Sequence, residues 1–328
     1  PEGGEVTDVR KSAADAIRKA SKLALACHVG PDGDALGSML ALGMAARNAG
    51  KEVVASFGTP FEIAPPLRFL PGQDLLVPPA QFPEKPEVMV VFDAGSADRL
   101  GELGSNAGDA DTLVVVDHHV STEEFGDIPY IDSTSASTGE LVHALLLELG
   151  WPIDAEIAEC LLTAIITDTG RFQYQATAPK TLRTAAELME AGASPSKITQ
   201  NVYEKTPFGY LKAAGAALTR ATLYPEEGVV ATVITEDDLD EAGIDWGDTD
   251  NLIDWIRLAE EADVAVLAKS FKDGRVKLSL RSRGATDVGA LARALGGGGH
   301  RLAAGATLVG EKPEEVIAKV VSMVGDHR

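Results

Sequence analysis

A chain of 328 residues with 45% hydrophobic side chains is long enough for more than one domain and apolar enough to bury a core in each. Lys and Arg number 29 against 50 Asp and Glu, a formal net charge of −21, and such a field disfavours sequence-independent binding to long duplex DNA. Short anionic substrates stay open, because bound divalent ions dominate the potential of a local site.

The first apolar run, LALAC at 23–27, reads as a strand. A Gly/Pro/Asp turn follows, then a helical pattern through LGSMLALGMAARNAG with Gly50 as its C-cap, then the strand EVVASF. That order is a βαβ unit, which implies a parallel sheet with a right-handed crossover. Residues 60–86 hold 8 of the 17 prolines and read as a surface excursion with few regular elements. VMVVF and TLVVV are unbroken in hydrophobicity, as central strands covered on both faces are. Helices fit TGELVHALLLELG and DAEIAECLLTAIIT.

Residues 192–209 offer turn formers and read as a connector between a domain at 1–191 and one at 210–328. The latter carries GVVATVIT, a helical stretch near DNLIDWIRLAEEAD, and VAVLAKSF and RVKLSLRS joined through Lys272, Asp273 and Gly274, where Asp-Gly supports a hairpin turn. The expected architecture is an α/β N-terminal domain, with a mostly parallel sheet and helices on both faces, followed by a smaller α+β domain. Cys27 and Cys160 lie inside apolar patterns and read as buried hydrophobes, which fits a reducing, cytoplasmic setting. No apolar stretch is long enough to span a bilayer, and the lysine-bearing N-terminal segment lacks a signal-peptide core.

Aspartates and histidines gather where apolar runs end. His28, Asp32 and Asp34 lie in HVGPDGD, Asp93 follows VMVVF, Asp117, His118 and His119 follow TLVVV, and Asp168 ends TAIITD. Ligands of open α/β sheets bind beyond the carboxyl ends of the strands, so these groups converge if the sheet forms. Carboxylates with a few imidazoles and no thiolate suit a divalent ion such as Mn2+ rather than a structural zinc. Individually the residues have other uses: PDGD is also an ordinary turn, Asp93 also fits a helix N-cap, and Asp168 also fits solvent exposure despite the unfavourable helix C-terminus. Two adjacent histidines on extended backbone point different ways, so one can face a metal and the other a substrate. Arg99 is either a solvated charge or a phosphate clamp. Gly297, Gly298, Gly299 and His300, in GGGGHRLAAG, form either a flexible loop or a close backbone approach to phosphate, and Arg281 either meets the same ligand or keeps an edge strand soluble.

Five motifs together, HVGPDGDALGS, VVFDAGSADRLG, VVVDHHVS, TAIITDTGRF and GGGGHRLAAG, make the chain resemble the DHH phosphoesterases with a DHH-associated C-terminal domain over nearly its whole length. Its compact size resembles the group of nanoRNases and 3'-phosphoadenosine 5'-phosphate phosphatases, some of which also hydrolyse cyclic di-AMP and pApA. The resemblance implies two Mn2+ ions, with Mg2+ an alternative. His28, Asp32 and Asp93 would hold one, and Asp34, Asp93, His118 and Asp168 the other, with Asp93 bridging. It also implies that His119 touches the scissile phosphate, that Asp117 orients the histidines, and that Arg281 and the glycine run grip a terminal nucleotide. A homodimer is compatible with it. SASTGEL at 135–141 fits the family loosely, and no role follows for it. The expected function is hydrolysis of short RNA or small nucleotides, against a non-hydrolytic cyclic dinucleotide sensor or a single-strand exonuclease.

Overall fold

A computed structural model describes residues 3–119, 122, 125–249 and 251–325, with side chains described from residue 6. Contacts divide the chain into two compact units, Pro1–Lys205 and Thr206–Arg328.

The first unit runs α1 (Gly3–Lys19), β1 (Lys22–Cys27), α2 (Gly33–Asn48), β2 (Glu52–Phe57), β3 (Val88–Phe92), α3 (Gly104–Asp109), β4 (Leu113–Asp117), β5 (Ile128–Ile131), α4 (Thr138–Leu149), α5 (Ala155–Asp168), α6 (Pro179–Glu190) and α7 (Pro195–Tyr203). Its sheet has the order β2-β1-β3-β4-β5 with every pair parallel. The chain steps from β1 outward to β2, then back past β1 to β3, so the switch in direction falls between β1 and β3, the position beyond whose strand ends open α/β sheets bind their ligands.

Alternation along the strands sorts the core. Leu23, Leu25, Val90, Phe92, Val114 and Val116 face α1, α2, α4 and α5, while Ala24, Ala26, Met89, Val91 and Val115 face Phe82, Leu100, Leu103 and Ala107. Helices do flank both faces, but unequally: the second face is covered by the short α3, a 3-10 segment at Ala97–Leu103 and the proline-rich excursion. That excursion contains only 3-10 turns, yet it packs Leu67, Leu70, Leu75 and Phe82 inward, and the Val77 amide donates to Ala55 on the outer strand β2. The segment set out as a connector carries α7, whose Ile198 is buried in the first unit's core.

Gly33 and Gly37 explain how two helices meet at the site. A Cβ at Gly33 would lie 2.5 Å from Thr167 Oγ1, and one at Gly37 would lie 2.5 Å from the Cys160 carbonyl. Only glycine lets α2 and α5 cross that closely, and the crossing brings the start of α2 beside the end of α5.

The second unit comprises α8 (Phe208–Thr219), β6 (Thr222–Tyr224), β7 (Val229–Thr235), α9 (Glu236–Ala242), α10 (Leu252–Ile256), β8 (Val264–Ser270), β9 (Arg275–Ser282), α11 (Val288–Ala294), β10 (Gly298–Gly299), β11 (Ala303–Val309) and α12 (Pro313–Gly325). Its sheet order is β10-β11-β9-β8-β7-β6, antiparallel except for β7 with β8. The hairpin between β8 and β9 turns at Gly274, whose φ of +83° suits glycine. α10 is only five residues, shorter than the helical pattern around it suggested.

Candidate active site

Each strand-end signal arrives in one pocket of charge. His28 follows β1, Asp93 follows β3, and Asp117 closes β4 with His118 and His119 directly after it. Asp34 enters from the first turn of α2 and Asp168 from the last residue of α5.

The Gly/Pro/Asp turn after His28 runs directly into α2, which begins at Gly33. Asp32 is itself the N-cap of α2, and its Oδ1 accepts the amides of Asp34 and Ala35, each at 3.0 Å. Asp93 is not a helix cap; it stands at φ +55°, a left-handed conformation that aspartate tolerates better than most side chains.

His28 Nε2 lies 3.6 Å from Asp93 Oδ2 and 4.0 Å from Asp32 Oδ1, while its Nδ1 donates to the Val29 carbonyl at 3.0 Å. Because a carbonyl only accepts, that bond leaves the lone pair of neutral His28 on Nε2, toward the carboxylates. His118 repeats the logic. Its Nδ1 lies 3.3 Å from the Ser135 carbonyl, and its Nε2 faces Asp168 at 3.3 Å, Asp34 at 3.6 Å and Asp93 at 3.7 Å. That buried Nε2 has no hydrogen-bond partner among the described residues. An acceptor nitrogen surrounded by acceptor oxygens is a repulsive arrangement unless a cation sits among them.

Among the described residues, three groups of donor atoms are close enough to hold a metal ion: His28 with Asp32 and Asp93, Asp34 with His118 and Asp168, and Asp93 with His118 and His119. Asp93 belongs to the first and the third, and its Oδ1 lies 3.7 Å from His118 Nε2 of the second.

Asp117 is fully buried and its Oδ1 accepts the amides of His118 and His119 at 2.7 and 3.1 Å and His119 Nδ1 at 2.8 Å. Its Oδ2 accepts the Thr122 hydroxyl at 2.6 Å. Asp34, 1% exposed, is held by the start of α4, with its Oδ2 accepting Thr138 N at 2.7 Å and its Oδ1 accepting Gly139 N at 2.9 Å. Thr138 Oγ1 also donates to Asp93 Oδ1 at 3.1 Å. Ser135, Thr138 and Gly139 all belong to SASTGEL, to which the sequence alone gave no role.

The carboxylates divide electrostatically. Burial raises Asp34 well above the ordinary range, with Asp93 and Asp168 reinforcing it. Burial lifts Asp168 to about 6 against the pull of His118, with Asp93 adding to the rise. Burial acts on Asp93 too, but the surrounding His28, His119 and His118 outweigh it and hold Asp93 at about 2. His119 resists its own burial through Asp117 and Asp93 and is pushed up to about 9. A site that keeps protons on some of its carboxylates is short of positive charge.

Among the residues expected to bind substrate, Arg99 is exposed near the rim, and its backbone carbonyl accepts the Val29 amide beside His28 at 2.9 Å. The others lie in the second unit. Arg281 is not on an edge: β9 runs between β8 and β11, and Arg281 pairs with Ala265 and Ala303. The glycine run is more ordered than a flexible loop. Gly298 and Gly299 pair with Gly305 and Ala304 as β10, and the turn after them holds His300, which is exposed.

Comparison with known proteins agrees with this architecture. The DHH family N-terminal domain matches residues 22–165 and the DHHA1 domain residues 226–326. The bifunctional oligoribonuclease and PAP phosphatase NrnA of Thermus thermophilus is 33% identical over 92% of this chain and 89% of its own length. The chain belongs to the DHH family. The NrnA of Bacillus subtilis is 28% identical to this DHH protein over 92% of the chain and 94% of its own length. An exopolyphosphatase-related protein from Bacteroides fragilis has the same fold, with a TM-score of 0.90 at 23% identity over 98% of this chain and 97% of that one. Among the described residues no helix is long and apolar enough to cross a membrane.

Proposed function

We propose that this protein hydrolyses phosphoester bonds in short oligoribonucleotides and small nucleotides, drawn from nanoRNA, pApA, cyclic di-AMP and 3'-phosphoadenosine 5'-phosphate, with two divalent cations, Mn2+ by preference. The observation that carries this reading is His118 Nε2, buried without a hydrogen-bond partner and faced by Asp34, Asp93 and Asp168. The activity printed in the names of the two NrnA relatives supports the substrate class.

His28, Asp32 and Asp93 would hold one cation and Asp34, His118, Asp168 and Asp93 the other. When bound, such a pair supplies an acidified water and neutralises the charge that grows on the phosphoryl group. The protein's own groups do the rest. Asp117 holds the DHH turn by both histidine amides and keeps His119 protonated at Nδ1. His119, whose Nδ1 is held by Asp117, would when protonated give its Nε2 proton to the leaving oxygen. Arg99 offers a guanidinium to a non-bridging phosphate oxygen. In the second unit, Arg281, His300 and the backbone of Gly297–Gly299 select the nucleotide end, so that chemistry and selection are divided between the units. The two buried, unpaired cysteines support a reducing, cytoplasmic setting.

Incubation of the four substrates with metal-stripped protein, with and without Mn2+, tests the reading. Mononucleotide or phosphate release that requires Mn2+ and stops with chelator is expected. Tight cyclic dinucleotide binding with no product would instead make the protein a sensor.

A further inference from the structure

We infer that Lys180 and Glu140 are positioning residues for the His118 cation site, acting by clamping the Ser135–Ala136 peptide. The inference rests on the two-cation reading and assigns a role to side chains that touch no metal-facing atom.

Glu140 on α4 is 2% exposed. Its Oε2 accepts the Ala136 amide at 3.3 Å and lies 3.5 Å from Lys180 Nζ, while its Oε1 has no hydrogen-bond partner among the described residues. Lys180 Nζ also donates to Ser135 Oγ at 3.2 Å. The short stretch Ser135–Ala136 is therefore gripped at its hydroxyl by the lysine and at its next amide by the glutamate. Between those two points lies the Ser135 carbonyl, the acceptor for His118 Nδ1.

The arrangement is poor as a purely structural device. A carboxylate buried with one oxygen unmatched is less favourable than a packed apolar side chain of similar size. A lysine in the first turn of α6 stands at the positive end of the helix, where a cation is disfavoured. What the pair does accomplish is to hold one carbonyl in place, and that carbonyl decides which nitrogen of His118 carries the proton. If the peptide tilts, the ring is free to turn or to exchange tautomers, and Nε2 no longer offers its lone pair to Asp34, Asp93 and Asp168. Outer hydrogen-bond partners of metal-binding histidines change affinity by about 10- to 100-fold.

Calorimetric titration of the full, metal-stripped chain with Mn2+ in the absence of substrate, alongside thermal denaturation, tests this. Lys180 is about half exposed, so Lys180→Met leaves the core intact, and one of two Mn2+ sites should weaken about tenfold. Lys180→Arg, which keeps the charge, should recover most of that loss. Lys197→Met is the control: it removes an ion pair to another largely buried glutamate, Glu159, at 2.6 Å and should leave both Mn2+ affinities at the wild-type value even where it lowers the melting temperature. Wild-type binding of two Mn2+ with an unchanged Lys180→Met titration would overturn the positioning role alone. A wild-type chain that binds no Mn2+ would overturn the proposed function and this inference together.

Discussion

The two units solve opposite problems with their sheets. In the first, an all-parallel sheet delivers charged side chains from separate strands to one end, while the stretches Leu23–Cys27, Val88–Phe92 and Leu113–Val116 of its central strands are apolar and buried. In the second, a mixed sheet carries its polar signals along the strands and in the β10–β11 hairpin, as with Arg281 on an interior strand. The first site depends on the topology of the whole unit, whereas the second unit's glycine motif is local. The contrast predicts that damage to the first kind of site abolishes chemistry without loss of fold, while damage to the second separates cleanly into fold and binding.

The sharpest way to break that contrast is at Asp93. Asp93→Asn keeps the volume and the tolerance for φ +55° while removing the charge that two of the three candidate cation groups share. Mn2+-dependent turnover should fall about a thousandfold, the equivalent of several kcal/mol of lost charge stabilisation, with the circular dichroism spectrum unchanged. Turnover near the wild-type rate under matched metal would remove Asp93 from the mechanism.

Neighbouring glycines test the second unit. A Cβ at Gly297 would come within 2.1 Å of the Gly305 carbonyl, whereas one at Gly298 meets nothing within 4 Å. Gly297→Ala should therefore destabilise the unit. Gly298→Val should leave the melting curve alone and raise KM for a dinucleotide about tenfold, the loss of one hydrogen bond to a charged group, with little change on a minimal aryl phosphate. Equal losses on both substrates would end the idea that selection resides there.

The smallest effect is electrostatic. Asp168, raised to about 6, and Asp34, raised further by burial and its neighbours, each favour the metal-free fold when protonated. That contribution is present below the ordinary carboxylate value of 3.8 and is lost as pH rises through about 6 for Asp168. Asp93, held at about 2, acts in the opposite sense: its contribution is present above the ordinary value of 3.8 and is lost as pH falls through about 2. Mn2+ at about a hundredfold above its dissociation constant should raise the melting temperature by about 5 °C at pH 7.5, and by less at pH 5, where protons compete for the same oxygens. A larger shift at pH 5 would contradict the assignment of those carboxylates.

The convergence in the first unit was legible because strand ends in a parallel sheet obey a topological rule, and His28, Asp93 and Asp117 each followed an unmistakable apolar run. What stayed hidden was supplied by backbone. The amides of Thr138 and Gly139 that grip Asp34, and the carbonyl of Ser135 that orients His118, have no residue-type signature, so SASTGEL looked like a helix start and nothing more. Gly33 misled in a different way. In a PDGD string it reads as a turn former, but its work is to let α2 pass α5. The glycine run in the second unit looked like a loop because glycine says little about pairing, and only the register with β11 revealed the short strand.

Asp117 has one further consequence. By accepting the amides of both histidines after it, and the hydroxyl of Thr122, it pins the turn using bonds that involve no cation. On the two-cation reading, loading would be a docking event on a preformed cradle rather than folding coupled to capture, so little ordering entropy would oppose it. A protein built this way would be stripped and refilled repeatedly, and would exchange one divalent ion for another, without passing through an unfolded state.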